Sequence, residues 1–221
     1  MQVDFCEFPD DLLYDFENNV WVRKKNGHLV LGMTSIHSAL AGKLTKINIK
    51  PVGSVVTKTQ NLATIESLRY FGAVRTPLSC RITAINEALQ LRPKLANDHP
   101  YSDGWFVELQ PIAADIEMQS LSSPVGAEER FRSAIHNLRV RCFKAYPDYE
   151  LWEIGVECAA VLVRLDELIK RCAVGEVVHV VSDDPTADIE MVRWSDQSGQ
   201  EVLESRTEGN LIHFIVRKVK E

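Results

Sequence analysis

The stretch Gln60-Asn61-Leu62-Ala63-Thr64-Ile65-Glu66-Ser67-Leu68-Arg69-Tyr70-Phe71-Gly72-Ala73-Val74-Arg75-Thr76-Pro77-Leu78-Ser79-Cys80-Arg81-Ile82-Thr83-Ala84-Ile85 sets the fold of the first half of the chain. Gln60 to Ser67 and Cys80 to Ile85 are strand candidates, and Leu68 to Ser79 between them reads as a hairpin-like excursion. Toward the N-terminus, Val20-Trp21-Val22-Arg23 is followed by the turn Lys25-Asn26-Gly27 and a returning strand, His28 to Met33. Thr34-Ser35 caps a short helix over Ile36 to Ala41, Leu44 to Ile49 alternates as a strand, and Pro51-Val52-Gly53 turns the chain. Toward the C-terminus, Asn86-Glu87-Ala88-Leu89 and a loop lead to a last strand, Gly104 to Leu109. Many short strands at close spacing predict a small β-barrel or sandwich.

The rest of the chain reads differently. Ser122-Ser123-Pro124 starts a helix whose apolar positions Phe131, Ile135, Leu138 and Cys142 recur at steps of four, three and four, ending before Pro147. After it come a strand over Tyr149 to Ile154, a helix from Cys158 stopped by Gly175, a strand Glu176 to Val181 and a helix capped by Asp183-Asp184-Pro185. A hairpin follows, Glu201 to Ser205 and Leu211 to Val219, around Glu208-Gly209-Asn210. The expected organisation is therefore a β domain over 1–111, a helical linker over 112–147, and an α+β domain of order β-α-β-α-β-β over 148–221.

The chain has 221 residues, 45% hydrophobic and 25% charged, with 11 Gly and 9 Pro. These values suit a globular protein and exclude a collagen-like or low-complexity one. No apolar run approaches the roughly 18 residues that span a bilayer, and Met1 to Glu7 lacks a basic region followed by an apolar stretch, so a cytoplasmic location without membrane insertion is expected. The net charge of −6 is uneven: residues 1–111 and 112–145 each carry +1, and residues 146–221 carry −8. An acidic last third with no clustered basic face argues against nucleic-acid binding.

Five cysteines, Cys6, Cys80, Cys142, Cys158 and Cys172, show no C-x-x-C spacing, so a zinc site is not expected and free thiols are. Cys142, on the apolar helix face, reads as a packing residue. His28, His37, His99, His136, His179 and His213 are scattered without ligand spacing. Asp183-Asp184 reads as a helix cap rather than a metal pair. No nucleophile elbow, P-loop or dinucleotide fingerprint is present.

Tyr14 to Leu109 resembles the H protein of the glycine cleavage system. The resemblance rests on Trp21-Val22, Gly32-Met33-Thr34, Pro51-Val52-Gly53, Glu66-Ser67-Leu68-Arg69, Thr76-Pro77-Leu78-Ser79, Asn86-Glu87-Ala88-Leu89, Asn97-Asp98-His99-Pro100-Tyr101 and Gly104-Trp105. It implies a barrel-sandwich hybrid. That family carries lipoate on the lysine of an E-S-V-K turn, and here Arg69 stands at the matching place. A guanidinium stays protonated and offers no lone pair for acylation, and no lysine lies between Lys58 and Lys94, so no lipoyl cofactor is expected. Arg69 is then either a docking cation, with Arg75 and Arg81, for an acidic partner, or a tip released from chemical demand. Cys80 replaces the glycine of the family's S-P-V-S-G and reads as a small buried residue rather than a thiol acting beside the tip; a turn demanding positive φ there would not suit it.

Residues 149–219 look like a TusA-type sulfur carrier domain, a two-layer α/β sandwich. Gly155-Val156-Glu157-Cys158 stands where that family has G-x-x-C-P-x-P, with both prolines missing; Gly175-Glu176-Val177, Ser182-Asp183-Asp184-Pro185 and Phe214-Ile215-Val216-Arg217-Lys218 extend the match. The resemblance makes Cys158 the sulfur-bearing residue. A cysteine at a helix N-terminus is favoured as thiolate, while Glu153 and Glu157 oppose this. Cys158 is therefore either a working carrier thiol or a relic. The leading expectation is a sulfur carrier or relay holding a persulfide on Cys158, with no cofactor or metal. The first domain would dock protein partners of a sulfur-transfer or lipoate-linked pathway. As an enzyme it would be at most a sulfurtransferase-type carrier and not a glycine decarboxylase catalyst. The alternatives are a non-catalytic interaction module with both domains degenerate, and a lipoyl carrier using another lysine.

Overall fold

The structure is a computed structural model that describes residues 1–113 and 116–221. It divides into two compact units, Met1–Cys142 and Phe143–Glu221. The architecture is mixed α+β, as expected, and the sheets are open rather than closed into barrels. Among the described residues no helix is long and apolar enough to cross a membrane.

In the first unit, a six-stranded sheet runs in the order Leu13–Asp15, Val20–Lys25, His28–Met33, Val107–Pro111, Cys80–Ile85, Val55–Val56, all antiparallel. A three-stranded sheet of Leu44–Ile49, Asn61–Ser67 and Phe71–Arg75 packs on it. Alternation decides what lies between them. Val20, Val22, Leu29, Leu31 and Met33 point into a core shared with Ile47, Leu62, Ile65 and Val74. The predicted excursion at 68–79 is thus the outer strand of a hairpin whose tip is Leu68-Arg69-Tyr70. Cys80 pairs with Val56 and Pro111 inside the sheet and is not among the positive-φ residues. Its thiol is buried and pushed up by that burial, so packing accounts for it.

The opposite face of strands 20–25 and 28–33 is buried too. Trp21 lies flat over Gly32, where an added Cβ would come within 2.4 Å of the indole. The indole N–H donates to the Pro100 carbonyl at 2.8 Å. Val3, Cys6, Phe8, Leu12 and Tyr14 from the N-terminal segment join Trp21 and Val30 in a second core. The helix Glu128–Leu138 closes it with Phe131 and Ile135. The 112–147 stretch is therefore not a separate linker: residues up to Cys142 belong to the first unit, because this helix covers a sheet face that water would otherwise reach.

That helix is shorter than its apolar spacing suggests. It ends at Leu138, where Arg139 turns left-handed with φ 51° and donates its N–H to His136 and Ile135 carbonyls. Cys142 lies beyond it and is disulfide-bonded to Cys6, 136 residues away. The expectation of a free packing cysteine at 142, and of five free thiols, is corrected: Cys80, Cys158 and Cys172 are free, and Cys6 and Cys142 are not. The antiparallel pairing of Gln2–Val3 with Cys6–Glu7 turns the N-terminal segment so that Cys6 reaches the second core.

The second unit follows the predicted order. Its sheet runs Tyr149–Glu153, Val177–Ser182, Leu211–Arg217, Glu201–Glu208, with only the first pair parallel. A parallel pair needs a crossover, and the helix Cys158–Arg171 supplies it. Its Val161, Leu165 and Ile169, at helical spacing, bury against Val178, Val180, Phe214 and Val216. The helix Ala187–Ser198 lies on the same face with Met191 and Trp194, and the Trp194 indole donates to Asp166 of the first helix at 2.7 Å.

Candidate functional site

The parallel register sets the candidate site. Glu153 stands beside Ser182, so the loops 154–157 and 183–186 leave the sheet together at one edge. The first loop leads into Cys158, the first residue of its helix. The second loop holds the first through two carboxylates. Asp183 Oδ1 accepts the Gly155 N–H at 2.7 Å, where Gly155 takes φ +71°, and Asp184 Oδ2 accepts the Cys158 N–H at 2.8 Å. Asp184 Oδ1 accepts both the N–H and the hydroxyl of Thr186, at 2.8 and 2.7 Å. Asp184 thus ties the starts of both helices, through Thr186 on its own and the Cys158 N–H on the other. Thr186, at the N-cap of its own helix, makes no side-chain cap bond.

These bonds fix the electrostatics. Backbone and hydroxyl donors on Thr186 and the Cys158 N–H hold the Asp184 carboxyl below the usual carboxylate range, so it is ionised at neutral pH. The Cys158 side chain lies just under the surface, with 4% of the residue exposed. Burial pushes its thiol up, and the charges of Asp184 and then Glu190 push it further. The sequence pointed instead to Glu153 and Glu157. Glu153 is mostly buried and ion-paired with Arg164 of the helix, so a cation offsets its charge. The helix terminus alone would favour a thiolate. Here a fixed carboxylate occupies that terminus, and the resting thiol is protonated. Asp184 was visible in the sequence only as part of a helix-start signal; its reach to Cys158 depends on the parallel pairing of two strands far apart in the chain.

Arg69 sits at the tip of the Asn61–Arg75 hairpin. The Ser67 N–H donates to the Tyr70 carbonyl at 2.8 Å, closing the turn, and the Ser67 hydroxyl donates to the Ala41 carbonyl at 2.6 Å. The Arg69 side chain folds back across Gly42, where an added Cβ would meet its Nε at 2.9 Å. Beside it Leu68 is fully exposed and Phe71 is 73% exposed. Arg75 pairs with Asn61 at the other end of the hairpin, and Arg81 donates to the Gly53 carbonyl from the neighbouring sheet. At about 3.3 Å per residue the strand puts Arg75 some 15 Å from the tip, so the three arginines do not form one cluster. Asn97, from the motif at 97–101, is buried below this end: its amide bonds Ser38 and Gly42 and accepts the Leu44 N–H, a structural role.

Among the described residues no group of three or more His, Cys, Asp and Glu is placed to hold a metal ion. Asp183 Oδ1 and both carboxylate oxygens of Asp184 accept from backbone N–H groups.

Comparison with known proteins assigns both units. The model of the glycine cleavage H-protein family matches residues 12–133, and that of sulfurtransferase TusA matches residues 153–218. The chain is 33% identical over 145 residues to glycine cleavage system H protein 5 of Aquifex aeolicus, covering 64% of this chain and 98% of that one. It is 35% identical over 138 residues to H protein 2 of the same organism, covering 62% and 86%. A crystal structure of an H protein from Mycobacterium marinum, 25% identical, covers 48% of this chain and 87% of its own, with a TM-score of 0.46. The chain belongs to the glycine cleavage H-protein family and carries, after that domain, a domain of the sulfurtransferase TusA family.

Proposed function

We propose that this protein is a sulfur carrier that holds sulfur as a persulfide on Cys158, and that its H-protein-like unit docks partner proteins without carrying lipoate itself. The observation that carries the reading is the place of Cys158 within the TusA match, at the first residue of the helix leaving the sheet edge. In the transfer step the Cys158 thiolate attacks the outer sulfur of a donor persulfide. The new bond is Cys158 Sγ to sulfur, the donor's S–S bond breaks, and the donor leaves as a thiolate. The outer sulfur on Cys158 is then the nucleophile for the next acceptor. Because burial, and then Asp184, keep the resting thiol protonated, the step needs a base or a movement of the 183–186 loop. Arg69 is taken as the residue at the lipoyl-lysine position; its side chain lies across Gly42 and it offers no amine to acylate.

The covered, protonated state of Cys158 favours a second reading, a non-catalytic docking module. Intact mass after exposure to a persulfide donor separates the two, with Cys158→Ala as control. Gain of whole sulfur atoms that vanishes in the control supports the carrier. No gain, or the same gain in the control, leaves the docking module.

A further inference from the structure

On the sheet face turned away from the two helices, His179 and His213 stack with ring centroids 5.2 Å apart at 17°, and His179 Nε2 lies 2.9 Å from His213 Nδ1. Both residues are buried. At that distance one nitrogen carries the proton and the other accepts it; two N–H groups cannot face each other there. Phe143 lies against this pair, 4.6 Å from His179 and 6.2 Å from His213, with the Arg206 guanidinium 4.9 Å over its ring. The next N–H, that of Lys144, donates to Glu204 at 2.9 Å. Trp152 meets both imidazoles edge-on at 5.8 and 6.1 Å. Charged groups near the pair include Glu208, whose Oε2 is 3.8 Å from His213 Nε2; Arg206, ion-paired with Glu204 and Glu208; Glu150, the strand partner of His179, which accepts from the Trp152 indole; and Arg217, on the same sheet face and ion-paired with Glu201.

We propose that the His179–His213 pair is a proton-operated latch that holds residues 143–147 on the sheet and releases them when the pair takes its second proton. The first proton is accommodated. His213 then directs Nε2–H toward Glu208 and donates Nδ1–H to His179 Nε2. The second proton must go on His179 Nε2. That sets N–H against N–H at 2.9 Å and two cations face to face beside Arg206. The hydrogen bond breaks, and the ring against which Phe143 rests turns. Asp148 remains fixed by its two bonds with Val177, at 2.7 and 3.0 Å, so release stops there and frees the residues that open the second unit. The two rings share one hydrogen bond, so the pair takes its protons in two coupled steps, the second harder than the first.

Trp152 reports the titration, because a protonated imidazole quenches an adjacent indole. Its emission is obtained as wild type minus Trp152→Phe between pH 8 and pH 4. Hydrogen exchange at the Lys144 amide, corrected for its intrinsic pH dependence, reports release. Wild type is expected to titrate in two steps and to lose Lys144 protection at least tenfold across the lower step, with far-UV circular dichroism unchanged. His179→Gln leaves one imidazole and is expected to remove the lower step and the loss of protection. Phe143→Ala is expected to leave Lys144 unprotected throughout while Trp152 still titrates. A wild type that titrates in one step, or Lys144 protection that stays constant from pH 8 to pH 4, overturns the latch, whether or not His179→Gln folds.

Discussion

Replacing Phe131 by Ala tests whether the helix Glu128–Leu138 is part of the first unit's core. Phe131 is 2% exposed. Its ring stacks on Phe8 at 3.7 Å, meets Tyr14 edge-on at 5.2 Å and Phe16 at 4.6 Å. Truncating a phenylalanine in such a site costs about 3–5 kcal/mol, the lost transfer energy plus the cavity left among three rings. Helix propensity acts the other way, since Ala is the better helix former, but by only about 0.5 kcal/mol. The core term wins. For a unit of 142 residues, at about 3 °C per kcal/mol, the loss is about 10–15 °C in the first unit's melting temperature. Scanning calorimetry reads it, with the second unit's transition unmoved as internal reference. Leu138→Ala, on the same helix but 37% exposed, should move the transition much less. A shift for Phe131→Ala below about 2 °C, the size of an ordinary surface substitution of about 0.5 kcal/mol, would refute the assignment and restore a linker.

Thiol titration of the unfolded protein without reductant should find three free cysteines, and five after reduction; five at the outset would remove the Cys6–Cys142 bond. Cys142→Ser should destabilise the oxidised first unit by up to about 5 kcal/mol, the chain-entropy value for a closed loop of this length, and leave the reduced protein almost unchanged. Burial lowers the pKa of His37 to about 4, against an unfolded value near 6.5. The unfolded chain binds more protons between these values, so the contribution of about 3 kcal/mol is full above pH 6.5 and lost as pH falls through 4; His37→Gln should flatten that part of the stability profile, and an unchanged acid limb would count against it. Asp184→Asn removes a charge beside Cys158 while keeping an acceptor for its N–H. The pH profile of Cys158 alkylation should move to lower pH, and a profile that stays put or moves up would show that Asp184 does not hold the thiol protonated.

Local signals made much of the architecture readable. The turn at Asn26-Gly27, the Thr34 cap, and the alternation of Leu44 to Ile49 lie within a few residues of what they determine. So does the spacing of Val161, Leu165 and Ile169. What escaped the sequence is two-sided or long-range. Strand 20–25 carries Val20 and Val22 on one face and Trp21 on the other, and nothing local says that the Trp21 face is covered. Its cover comes from residues near 5 and near 131, which is why helix 128–138 read as a connector. The Cys6–Cys142 bond spans the same separation. At the candidate site Cys158 stood out, but the groups that govern it did not, because Asp184 reaches it through strand pairing.

The pattern this domain resembles carries both the carboxylates at 183 and 184 and the prolines after the cysteine; here the carboxylates stay and the prolines are gone. In the pattern this domain resembles, proline at the helix start presets the backbone and lacks an N–H to satisfy. Ala159 brings no such constraint, so the turn is held by Asp183 on Gly155 and Asp184 on Cys158 without that help. A carboxylate can fix a helix start, but here it also brings a negative charge to the atom whose ionisation sulfur chemistry requires. The same residue therefore orders the site and quiets it. Unlike a proline, a hydrogen-bonded carboxylate is displaceable: a partner that draws Asp184 away, or pairs its charge with a cation, returns the helix N-terminus to Cys158 and favours the thiolate. On that account a resting thiol is compatible with a carrier whose reactivity depends on its docked state, and the docking module is the case in which no such partner exists.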